Sequence, residues 1–310
     1  MMCIQLRKIL LAGLVVLAPA LQAAPERIIS ADGSLTEIIY ALGEEQRLVG
    51  VDTTSGYPQR ATQLPQIGYK RNISAEGALS LQPQVLIATD DSGPEKILKQ
   101  ITAAGVVIHN YSAAPTLSAV EEKITGLAAL VDKSEEGQML WEAVEASVAQ
   151  AQTRLLAVDK PVKVMFVLSN ANGSAIIGGE NTHADTIIRL AGGVNAASGF
   201  TGYKPMPNEA IAAAQPDVIL MMTRGGNHEV NSDILTKPGF AMTPAATERR
   251  LVKMDGMLML GFGPRIGEAV EGLIRAFYPD TGRDNGQTVA KSSAEPAGQL
   301  SLKAALQTNQ

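Results

Sequence analysis

The chain has 310 residues, enough for two α/β halves, each with its own core. Hydrophobic residues make up 45% and charged residues 18%, a globular rather than a disordered composition. The net charge of −5, with no run of Lys and Arg, excludes an ordinary nucleic-acid binder, which neutralises phosphates with clustered cations.

The N-terminus reads as an export signal over residues 1–24. Arg7 and Lys8 are the positive region, Ile9 to Leu17 the apolar one, and Ala20-Leu-Gln-Ala-Ala24 the small-residue cleavage site. The apolar run falls short of the ~20 residues that span a bilayer. The one cysteine, Cys3, precedes the apolar region, whereas a lipid anchor uses a cysteine after it. The expected product is therefore soluble and periplasmic, with no disulfide or thiolate chemistry.

Short apolar runs then alternate with helical periodicity. Strands are expected at Arg27–Ser30, Leu48–Asp52, Val85–Thr89, Val106–Tyr111, Lys163–Ser169, Asp217–Met222 and Leu251–Asp255. Helices are expected at Leu35–Leu42, Glu95–Ala103, Thr186–Leu190 and Ile266–Phe277. Ser34-Leu-Thr-Glu37 has the form of a capping box. From Thr116 to Val158 strand signals stop, and apolar residues recur at helical spacing, giving one long helix with room for a shorter one before it. The expected fold class is α/β: two similar lobes with mostly parallel sheets, joined by a long helix, with a ligand cleft between them. The expected units are residues 25–115, a linking segment 116–160, residues 161–279, and a polar, disordered tail 280–310.

The halves repeat one another. Glu76, Pro83 and the following apolar strand match Glu209, Pro216 and its strand; Glu37-Ile-Ile-x-Ala-Leu-Gly43 matches Thr186-Ile-Ile-x-Leu-Ala-Gly192. With the export signal and the linking helix, these segments resemble the helical-backbone (class III) substrate-binding proteins of importers for ferric siderophores, cobalamin and haem. Ile67-Gly-Tyr69-Lys70-Arg71-Asn-Ile-Ser-Ala-Glu76 and Leu260-Gly-Phe-Gly-Pro-Arg265 resemble the haem-binding branch.

That resemblance implies haem as the transported ligand and Tyr69 as its axial ligand. Ferric iron is a hard cation that takes an anionic oxygen, as catalase does with tyrosine. A phenol titrates near 10, so ligation is helped by a neighbouring cation. Arg71 fills that place or pairs with a propionate, and Lys70 is a second candidate. Tyr57, Asn170, Tyr203, Arg224, His228 and Arg265 are candidates to line the cleft. Members of the branch carry a histidine near the position of Asn170, so a second axial ligand from that side is not expected here.

By the same resemblance Glu76 and Glu209 dock on arginines of an inner-membrane ABC permease dimer, and an outer-membrane haem receptor is an indirect partner. His109 reads as an interior or strand-edge residue, and His183, beside Asp185, lacks the further ligands a zinc site needs. The sequence holds no Gly-x-Ser-x-Gly elbow, phosphate-binding loop or His-Glu-x-x-His helix, so capture and delivery rather than catalysis is expected. A stiff linking helix implies small lobe movements. A siderophore or cobalamin, with its iron or cobalt already ligated, is the alternative cargo.

Overall fold

The computed structural model describes residues 24–171, 174–223 and 233–279. The export segment up to Ala23, the tail from Asp280, and both Arg224 and His228 lie outside the described residues.

The first lobe contains β1 (Ile28–Ser30), α1 (Gly33–Ala41), β2 (Leu48–Val51), β3 (Gly68–Tyr69), β4 (Asn72–Ile73), α2 (Ala75–Ser80), β5 (Val85–Thr89), α3 (Glu95–Ala103) and β6 (Val107–Tyr111). Four of its strands form a parallel sheet in the order β2-β1-β5-β6, while β3 and β4 form a small antiparallel hairpin. Strands β1 and β5 are buried along their whole length, so their continuous apolar runs are covered on both faces.

The linking segment is α4 (Leu117–Leu130) and α5 (Ser134–Gln152), followed by a 3₁₀ turn at Thr153–Ala157. The expected long helix is α5, and α4 takes the place of the shorter helix before it. Asp132 takes a left-handed conformation, φ +59°, which ends α4 and lets α5 turn back against it. Leu127, Ala128 and Val131 are buried at the junction.

The second lobe contains β7 (Lys163–Ala171), β8 (Ser174–Gly178), α6 (His183–Leu190), β9 (Val194–Asn195), β10 (Tyr203–Met206), α7 (Asn208–Ala214), β11 (Val218–Thr223), α8 (Pro244–Thr247), β12 (Leu251–Asp255), α9 (Gly256–Leu260) and α10 (Ile266–Phe277). Its sheet runs β10-β8-β7-β11-β12, with β9 on β7. The β7–β8 and β8–β10 pairs are antiparallel and the rest parallel. Sequence reasoning missed β8 and β10: Ser174-Ala-Ile-Ile-Gly and Tyr203-Lys-Pro-Met are short, and the second contains a proline, which is tolerated at a sheet edge.

Each lobe has its own core cluster, but the largest cluster spans both. It joins Leu35, Ile38 and Ile39 of α1 to Val120, Ile124 and Leu127 of α4, Trp141 and Val144 of α5, Ile187 of α6, and Leu273 and Ile274 of α10. Helix α10 approaches α5 so closely at Gly267 that an added Cβ would overlap the Ser147 side chain. One correction concerns α1. Its N-cap is Asp32, whose carboxylate accepts from the Ser34 N–H at 2.8 Å. Ser34 lies inside the helix, and Glu37 does not reach back as a capping box requires.

Candidate functional site

The hairpin β3–β4 presents Tyr69. Tyr69 pairs with Asn72, so Lys70-Arg71 form a two-residue turn at the tip. Gly68 makes the turn possible: its φ is +99°, and a Cβ there would lie 2.7 Å from the Asn72 carbonyl. The hairpin is anchored to the lobe by Thr53 N–H to the Gly68 carbonyl at 2.9 Å, Gly93 N–H to the Lys70 carbonyl at 2.8 Å and Lys70 N–H to Asp52 Oδ2 at 3.2 Å. A rigid hairpin thus carries an exposed phenol.

Behind the phenol runs a chain of charges. Arg71 donates one guanidinium N–H to the Tyr69 hydroxyl at 2.9 Å and another to Asp91. Asp91 also accepts from Lys70 Nζ at 2.9 Å and Thr89 Oγ1 at 2.8 Å, and Lys70 Nζ donates to Asp32 at 2.6 Å. Burial favours the neutral form of Asp91, but Lys70, Thr89 and Arg71 outweigh it and hold the carboxyl down at about 2. Burial likewise works against ionised Asp32, and Lys70 and Lys123 bring it below the usual range. Asp52, buried with fewer cations around it, is pushed up to about 6. Lys70 therefore differs from its expected place: its ammonium is buried between two carboxylates, and those pairs raise its pKa against the effect of burial.

The second lobe meets the first along a seam. Arg265 donates to both Glu37 oxygens, at 2.6 and 2.9 Å, and its guanidinium lies 3.7 Å above the centre of the Tyr57 ring. Burial raises the Glu37 carboxyl more than Arg265 lowers it. Lys123 of α4 is 2% exposed and donates to the Phe262 carbonyl at 2.7 Å and to Ser34 Oγ at 3.2 Å. It thereby ties the linking segment to both lobes. Burial pulls its pKa down.

His183 is edge-on to Phe262, at 5.3 Å between ring centres, and bonds the Ala113 backbone; burial, then Lys70 and Lys123, lower its pKa and favour the neutral imidazole. Tyr203, expected in the cleft, is partly exposed, its ring edge-on to Phe166, while its hydroxyl is bonded to the Ala184 backbone and to Thr182 at the start of α6. Burial raises its pKa, and Arg71 of the other lobe lies close enough to lower it in part. Asn170 is half-buried near the end of β7, and His109 is half-buried on the edge strand β6. At the junction of the lobes Arg265 stacks on Tyr57, and Arg71, bonded to Tyr69, lies close to Tyr203. Asp91 and Lys123, which sequence reasoning missed, support it from behind.

Glu76 and Glu209 are both exposed, and each is the second residue of a short helix, α2 or α7, that leads into a central strand of its lobe. Among the described residues no group of three or more His, Cys, Asp or Glu side chains is arranged to hold a bare metal ion, and no helix is long and apolar enough to cross a membrane.

A family model described as periplasmic binding protein matches residues 28–258. Among solved structures, a periplasmic heme-binding protein from Roseiflexus sp. RS-1 in apo form is 40% identical, with a TM-score of 0.78, over 83% of this chain and 99% of that one. A periplasmic heme-binding protein in complex with two hemes is 38% identical, with a TM-score of 0.77, over 82% and 98%. Among curated proteins, an uncharacterised ABC transporter substrate-binding lipoprotein of Bacillus subtilis is 27% identical over 83% of this chain and 81% of its own length. A vitamin B12-binding protein of Vibrio campbellii is 27% identical over 72% and 87%.

Proposed function

The chain belongs to the periplasmic binding protein family, and from that premise we propose that it captures ferric haem between its lobes, with Tyr69 on the iron, and delivers it to an inner-membrane ABC permease. The observation that carries this reading is the exposed Tyr69 hydroxyl receiving an N–H from Arg71 at 2.9 Å. A guanidinium already donating to the phenol oxygen is placed to balance the anionic oxygen that ferric iron takes. Tyr57 is exposed and its ring is stacked by Arg265, and we take its apolar surface to meet the macrocycle.

The two heme-binding neighbours support this cargo. The vitamin B12-binding relative supports a second, a corrinoid, but a cobalt already enclosed in its ligands makes little use of a phenolate. Export by the N-terminal signal with release as a soluble protein, and the absence of a catalytic role, belong to the same proposal. So does docking through Glu76 and Glu209, whose matched places on two rigid lobes give a permease two carboxylates at a fixed separation.

The test is titration of the chain from Pro25 with ferric haem and, separately, with cobalamin, beside a Tyr69→Phe variant. A saturable Soret shift with a phenolate-to-iron charge-transfer band, lost in the variant, is the expected result. Saturation by cobalamin alone would overturn it.

A further inference from the structure

The Arg71 side chain is 56% exposed, and an arginine so exposed ordinarily roams. Holding it still costs rotamer entropy that a single hydrogen bond to a phenol does not offset. What holds it is Asp91, through a charge-assisted bond from the second guanidinium nitrogen.

Asp91 is itself fixed. Its other oxygen is bound by Lys70 and Thr89, and Lys70 is in turn bound by Asp32. The carboxylate is thus a bracket between the buried interior of the first lobe and the exposed guanidinium, whose other terminal nitrogen donates to Tyr69. We infer that Asp91 is a positioning residue for ligand binding, acting on the bound iron through Arg71 and then Tyr69. Its nearness to Arg71 also tempers the positive charge the phenol oxygen feels, so it sets the strength of the phenolate ligand as well as its place. The inference rests on the haem reading.

A double-mutant cycle separates this role from mere support of the lobe, with Arg71→Gln, Asp91→Ala and the pair compared on ferric haem. Asp91→Ala is expected to speed haem release by ~10-fold, the low end of the effect of losing an outer-shell partner, and to move the charge-transfer band toward that of Arg71→Gln. In the Arg71→Gln background the same change should alter release by no more than ~2-fold, because the path through Arg71 is already cut. Equal effects in both backgrounds, or none in the parent, would overturn the inference. Should Asp91→Ala fail to fold, Asp91→Asn replaces it, since an amide offers its oxygen to either Arg71 or Lys70 but not both.

If the parent protein binds no haem, the functional reading fails on its own. Asp91 is then judged in the ligand-free protein by the side-chain nitrogen resonances of Arg71. Separate, slowly exchanging signals that collapse in Asp91→Ala support the bracket; signals unchanged by the substitution refute it.

Discussion

The two lobes repeat one frame and use it differently. In the first, α1 runs from the Asp32 cap to Gly43; in the second, α6 runs from the Thr182 cap to Gly192, and both glycines turn the chain with φ +74°. On that shared frame the first lobe builds a connected web of Asp32, Asp52, Lys70, Thr89, Asp91 and Arg71 around the hairpin. The second spends its equivalent polar residues locally: Asp185 accepts from Asn195 at 3.2 Å and from the Asn181 N–H at 3.0 Å, both within the lobe. Where the first lobe has Glu37, the matching residue of α6 is Thr186. Duplication thus accounts for the scaffold and the paired Glu76 and Glu209, whereas the proposed ligand chemistry falls on one copy.

That asymmetry can be broken experimentally. The largest effect is expected at the seam, where Arg265→Ala leaves the buried Glu37 carboxylate without its partner. Losing one member of a buried pair costs ~3–5 kcal/mol, which thermal or denaturant unfolding would register; a stability within ~1 kcal/mol of the parent would show that the lobes do not depend on this contact. Next comes Tyr69→Phe, expected to weaken ferric haem at least ~100-fold, ~2.7 kcal/mol. An equal loss from Asn170→Ala would move the chemistry to the second lobe and undo the comparison.

Acid stability sharpens it further. With Asp91 held at about 2 against an ordinary 3.8, the unfolded chain takes up the proton first as pH falls. Asp91 therefore contributes stability above about pH 4 that disappears toward pH 2, at most ~2 kcal/mol. Comparing the parent with Asp91→Asn at pH 6 and pH 3 should show a gap that narrows at the lower pH; a constant gap would mean that the charge of Asp91 is not what stabilises the lobe. The smallest effect is expected from Tyr203→Phe, within ~10-fold on haem affinity by the same titration, because the Tyr203 hydroxyl is already engaged at the start of α6.

Much of this arrangement was legible in the residues. The bounds of β5, β12, α3 and α10 follow from local spacing, because each is a short apolar or amphipathic run between turn residues. Tyr69 and Arg71 stood out as neighbours in one polar loop. Asp91 and Lys123 did not. Thr89-Asp-Asp-Ser92 reads as an ordinary turn, and Lys123 follows Glu121 and Glu122 on a helix whose charged residues would be assigned to solvent. Their roles come from partners far along the chain: Asp91 lies 20 residues from Arg71, and Lys123 lies 139 from Phe262. The Asp32 cap was missed for a local reason, since the Ser34–Glu37 spacing offered an equally good cap two residues later.

The buried ammonium of Lys123 bears on how far the molecule can be divided. Its donors end on Ser34 of one repeat and Phe262 of the other, so a cut on either side of α4 would leave the buried Lys123 side chain short of a partner or deprive a carbonyl of its donor. The repeats, though alike enough to be read as copies, share one core and one buried lysine and so are not independent units. A half expressed alone would inherit an unfinished face, and exchanging halves between relatives would succeed only where the residue facing position 123 travels with them.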